Sequence, residues 1–157
     1  MATSDHHVYL NRLGFHDHVL HHILALYGTG ASPSLLEKAY DLRDPLQRPV
    51  EPRHDAVVRD LLASWDNAIH YLGNEEHYPD FLAYFQQRID AQGYEFVVQE
   101  HLLKGDAHAD DLLTRLHAGV VHPLIQLMYG LEWKQPAIVA EALAQTCVHH
   151  IEGLDEL

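Results

Sequence analysis

The chain has 157 residues, 47% of them hydrophobic and 21% charged, with 10 Lys and Arg against 23 Asp and Glu. That composition fits one globular domain with its own core and excludes a disordered tail, and the formal charge of −13 argues against a nucleic-acid partner. No apolar run approaches the roughly 20 residues of a membrane helix, the opening residues lack the basic and apolar regions of a secretory signal, and Cys147 stands alone, so no membrane partner and a reducing, cytoplasmic setting are expected.

Helix signals dominate, and no Asn-Gly or Asp-Gly hairpin turn occurs. The first predicted helix runs from about Phe15 to Tyr27, with Phe15, Val19, Ile23 and Leu26 along one face and Gly28 and Gly30 as stops. Ser32-Pro33 opens the second, Ser as cap and Pro at the first helical position. Three prolines make residues 44–52 a loop. A third helix is predicted over Asp55–Leu72, ending at Gly73-Asn74. A fourth starts at Pro79 with Phe81, Leu82, Phe85 and Ile89 as its stripe, and ends at Gly93. The fifth covers Tyr94–Lys104 and the sixth is capped by Asp110 or Asp111. The last runs from Pro136 to Gly153. The fold class is all-α, a single domain over residues 1–157 with six to eight helices. The sixth pattern runs into Pro123, with Gly119 four residues before it, so the chain is kinked or broken at His122.

Histidine is the anomaly. There are 15, enough to carry the charge from −13 to +2 on full protonation, and solubility should be poorest near the pI of 5.4. On a helix, His18 and His22 are four apart and His18 and His21 three apart, so either pair has metal-ligand spacing. His22 lies nearest the apolar stripe and is expected to be the most buried. In the pair His149-His150, His149 shares a face with Glu141, while His150 follows the apolar side. His70, His77, His101, His108 and His117 read as exposed, and His6 and His7 as part of a frayed terminus. One Glu-x-x-His pair, Glu51 and His54, lies in the proline-rich loop and makes only half of a di-metal pattern. No His-Glu-x-x-His, Gly-x-Ser-x-Gly, P-loop or GxGxxG motif occurs. Several imidazoles from different helices suit iron, copper, nickel or zinc, and open positions on such a metal permit oxygen chemistry.

Two segments carry a resemblance. Residues 16–33, HisAspHisValLeuHisHisIleLeuAlaLeuTyrGlyThrGlyAlaSerPro, and residues 118–133, AlaGlyValValHisProLeuIleGlnLeuMetTyrGlyLeuGluTrp, resemble two motifs of the questin oxidase-like family. ProAlaIleValAlaGluAlaLeuAla at 136–144, Trp65, TyrLeuGly at 71–73 and the Tyr-Pro-x-Phe-Leu-x-Tyr-Phe stretch follow in the same order. The resemblance implies an all-helical oxidase or oxygenase acting on a small aromatic, anthraquinone-like polyketide, with non-heme iron held by histidines and a modified lysine, and with NADPH as reductant. It points to His18, His21 or His22, to His122 and to His149 as metal ligands. Gln126 and Met128 depart from the family's His and Gly. Family members are much longer and the match covers their N-terminal part. The chain is therefore expected to be a fragment or shortened homologue with an incomplete site, prone to homo-oligomerise through an exposed apolar face. The alternative reading is a truncated, non-catalytic helical domain that binds a metal or a partner.

Overall fold

Glycines, prolines and capping side chains cut the chain into eight α-helices among the described residues of the computed structural model, which are 6–11 and 14–151. They are α1 (Val19–Gly28), α2 (Pro33–Asp41), α3 (Asp55–Ala63), α4 (Tyr78–Gln92), α5 (Tyr94–Leu102), α6 (Ala107–Leu116), α7 (Ala118–Glu132) and α8 (Pro136–Val148). No strand occurs among the described residues; two isolated bridges, His6 with Pro49 and Tyr9 with His16, are the only extended pairing there. No helix among them is long and apolar enough to cross a membrane. The chain divides into two compact units, Met1–Val50 and Glu51–Leu157.

In the first unit, α1 starts four residues later than its apolar pattern predicts. The bridge at His16 and the bond from Asp17 N–H to the Val8 carbonyl (2.8 Å) hold residues 16 and 17 outside the helix. The Asp17 carboxylate then accepts the Val19 N–H at 2.9 Å, so the helix begins there. Phe15 is left off the helix and 64% exposed. Ser32 caps α2 as expected, accepting the Leu35 N–H. His7 is not frayed. It is buried, its N–H donates to the Arg48 carbonyl (2.8 Å), and its Nδ1 accepts from the Tyr9 N–H (3.0 Å).

The second unit is built around α8. Every residue from Ile138 to Val148 is buried, so α8 has no solvent face and reads as a central helix. α4 and α7 make its largest packing interfaces. Gly130 of α7 is where the two backbones meet: a Cβ there would lie 2.9 Å from the Val139 nitrogen and Cγ2. Cys147 sits in this core with no exposed surface, and burial pushes its thiol pKa up.

Further boundaries in the second unit differ from the sequence reading. α3 stops at Ala63 because Ser64 is extended (φ −157°, ψ 135°) and its hydroxyl caps a 3-10 helix over Trp65–His70. Asp106, not Asp110 or Asp111, caps α6, accepting the Ala109 N–H at 3.0 Å. That hydrogen bond, with Lys104 beside it, holds the Asp106 carboxyl below its usual range. α5 ends at Leu102 rather than Lys104. α8 ends at Val148, where Gly73 N–H donates to the Cys147 carbonyl (2.8 Å) and Arg115 Nη1 to the His149 carbonyl (2.7 Å), satisfying acceptors that another helical turn would have used. Gly153, the expected end, lies outside the described residues.

Candidate functional site

The break expected near Pro123 is a sharp one. Gly119, Val120 and Val121 have left-handed backbone (φ 55°, 56° and 60°) within α7. Glycine adopts this region freely, but a β-branched residue there costs on the order of 1–3 kcal/mol. The reversal frees Pro123 to open the straight part of α7, where its missing N–H breaks no helical bond. It also turns the Gly119 carbonyl onto the next imidazole: His122 Nδ1 lies 2.6 Å from that oxygen. A carbonyl only accepts, so Nδ1 carries the proton and the lone pair is on Nε2.

His149 repeats the arrangement from the other helix. Its Nδ1 donates to the Gln145 carbonyl at 2.6 Å, in a residue 5% exposed. Burial pulls its pKa down, and the nearby His122 and His150 add to the same direction against the opposing hydrogen bond, so the ring is held neutral. Here the helical-wheel reading fails. His149 has extended backbone (φ −78°, ψ 140°) past the end of α8, so it turns inward while His150 is exposed.

On the same two elements, Gln126 of α7 donates from Nε2 to Glu141 of α8 at 2.9 Å, both residues buried. Gln145, one turn further along α8, has a buried Oε1 with no hydrogen-bond donor. The strip is thus a line of polar side chains in an apolar interface, an arrangement that stability alone does not favour. Arg115, which fixes the His149 carbonyl, also lines a cavity of about 420 Å³ with Trp65, Ala68, Ile69, Leu72 and Leu112.

In the first unit, His18 and His21 are neighbours, with ring centroids 6.1 Å apart. His22 is exposed, and His21 is the more buried of the two, contrary to the stripe drawn through Phe15. His18 and His22 border a cleft of about 250 Å³ that also includes Asp17 and Arg43. Trp65 supplies the indole that lines the larger cavity.

The family model of questin oxidase-like proteins matches residues 15–156. The chain belongs to the questin oxidase-like family. It is 36% identical over 152 residues to a questin oxidase of Aspergillus terreus, covering 97% of this chain and 34% of that protein. It is 41% identical over 137 residues to the oxidoreductase AflY of Aspergillus parasiticus, covering 87% and 28%. To the Baeyer-Villiger oxidase AgnL3 of Paecilomyces divaricatus it is 36% identical over 153 residues, covering 98% and 33%. The chain spans about a third of the length of these relatives.

Sequence reasoning missed two histidine environments. His101 is not exposed: it is buried against Trp65 (centroids 4.5 Å) and Phe85 (5.2 Å), with Nε2 3.3 Å from the Tyr84 hydroxyl. Burial, reinforced by Arg88 and Lys104, pulls its pKa to about 3. His77 is not in a solvated loop but joins His54 around the buried Asp80. The signal for the second was Asp80 itself, a charge inside the apolar run TyrProAspPheLeuAlaTyrPhe.

Proposed function

We propose that this chain forms part of an oxidoreductase that oxidises an aromatic, anthraquinone-like polyketide, using non-heme iron and NADPH. The observation that carries the reading is the pair His122 and His149. Each ring is oriented by a main-chain carbonyl on Nδ1, which sets the Nε2 lone-pair tautomer that binds metals. The downward pull on the His149 pKa favours the same neutral form. Imidazole donors suit iron, and the names of the relatives support oxidation. His18, His21 and His22 are the further ligand candidates, on the family resemblance. Bound iron supplies open coordination positions for oxygen chemistry. The chain's own residues hold and orient: His122 and His149 as donors, with Gln126 and Glu141 as a buried polar pair in the same interface. The cavity beside Trp65 is large enough for a flat ring and is lined largely by apolar side chains.

The test is anaerobic loading with Fe(II), dialysis and metal analysis of the wild type, His122→Gln and His117→Gln. His117 is exposed and serves as the control. Iron near one per chain in the wild type and the control, lost in His122→Gln, is the expected result; equal iron in all three overturns the ligand assignment. Turnover of an anthraquinone with NADPH is expected to be weak, because the family resemblance implies further ligands, a modified lysine among them, beyond the matched region. Rapid multiple turnover by a monomer in solution would show the site to be complete.

A further inference from the structure

At the head of α4, three elements deliver three ligand-type atoms to one point. Asp80, in the first turn of α4, is fully buried. Its Oδ2 lies 3.0 Å from His54 Nδ1 and 2.8 Å from His77 Nδ1, and its Oδ1 accepts the His54 N–H. His54 stands just before α3, and His77 immediately before α4. Among the described residues, these two imidazoles are the ion-pair partners of the carboxylate. A buried carboxylate calls for a counter-charge, which a bound cation would supply in full.

We propose that His54 Nδ1, His77 Nδ1 and Asp80 Oδ2 bind one divalent ion of the zinc class, at a site separate from the His122–His149 strip. Two atoms bonded to one ion at about 2.0–2.1 Å with angles of 90–110° lie about 3–3.4 Å apart. The observed 2.8 and 3.0 Å lie at the short edge of that range. The three donor atoms lie within 4.8 Å of one another. Tyr71 braces the cluster: its ring meets the His77 ring edge-on at 5.0 Å, and its hydroxyl donates to Asp60 at 2.8 Å. The His54 side chain is 57% exposed, which gives the ion an entry path and leaves its fourth position facing solvent. Two imidazoles and a carboxylate with one open position are a zinc donor set. Binding moves each imidazole proton from Nδ1 to Nε2, and no other group has to change.

The experiment is zinc titration of the 157-residue chain against a chromophoric chelator, with cobalt(II) absorption reporting coordination geometry. The variants are His54→Gln, His77→Gln and His122→Gln, each checked for helicity by circular dichroism. His54 and His77 both retain exposed surface, so those variants keep the packed core. The expected result is one zinc per chain, a tetrahedral cobalt spectrum, and affinity at least about a hundredfold weaker in His54→Gln and His77→Gln, with His122→Gln unchanged at this site. Unchanged zinc affinity in both cluster variants overturns the proposal, as does loss confined to His122→Gln. The functional reading is read from iron in His122→Gln against His117→Gln, and this proposal from zinc in His54→Gln and His77→Gln, so the two fail separately.

Discussion

The imidazoles of the α7–α8 strip are held by main-chain carbonyls, and those at the head of α4 are held by a carboxylate. A carbonyl fixes the tautomer and the direction of one ring without bringing charge. A carboxylate gathers two rings onto one oxygen and brings a charge that must be met. The first arrangement keeps its two rings on separate acceptors; the second has brought its rings onto one. Identical side chains thus acquire different chemistry from the acceptor behind them.

The sharpest way to break this contrast is to remove the carboxylate. Asp80→Ala leaves the His54 N–H and the part-buried His77 ring without their acceptor, and is expected to cost about 2 kcal/mol in urea unfolding. A loss under about 1 kcal/mol would show the cluster to be ornamental. A third kind of imidazole, His101, is held by rings and one phenol, and it separates burial from either acceptor. Its folded pKa of about 3 lies below the ordinary 6.5, so the unfolded chain takes up the proton first. The contribution is complete above about pH 6.5 and is lost as pH falls toward 3, at up to about 1.4 kcal/mol per unit. By pH 5 that amounts to about 2 kcal/mol, and His101→Phe should flatten this part of the stability profile. An unaltered slope would assign the acid lability to other groups. The smallest effect concerns the turn that aims His122. Val120 is 84% exposed at φ 56°, so Val120→Gly should stabilise by up to about 1 kcal/mol. Destabilisation would mean that the valine side chain, not its neighbours, holds the turn.

The all-α class and most helix starts were legible because they depend on local chemistry. Ser32-Pro33 and Pro136 open helices and Gly93 ends one wherever the rest of the chain lies. The kink was visible as the pairing of Gly119 with Pro123, though not the run of left-handed valines between them. What failed was inference from periodicity across a boundary. The α1 stripe was anchored on Phe15, which lies outside the helix, and His149 and His150 were ranked on a wheel that stops at Val148. Single histidines were read as exposed because nothing local distinguishes His101 from His117. The difference is Trp65, some 36 positions away in sequence, and such contacts leave no mark in a window of ten residues.

The burial of α8 on every side has a practical consequence. Its Cys147 is the one thiol in the chain, and it is sealed and protonated at neutral pH. A thiol reagent can act only on molecules in which the packing around α8 has opened, so under native conditions the labelling rate reads the free energy of that opening. Mixing with a coloured disulfide therefore times the breathing of the second unit without any engineered probe. Added metal that ties α4 or α7 into place would register as a slower clock.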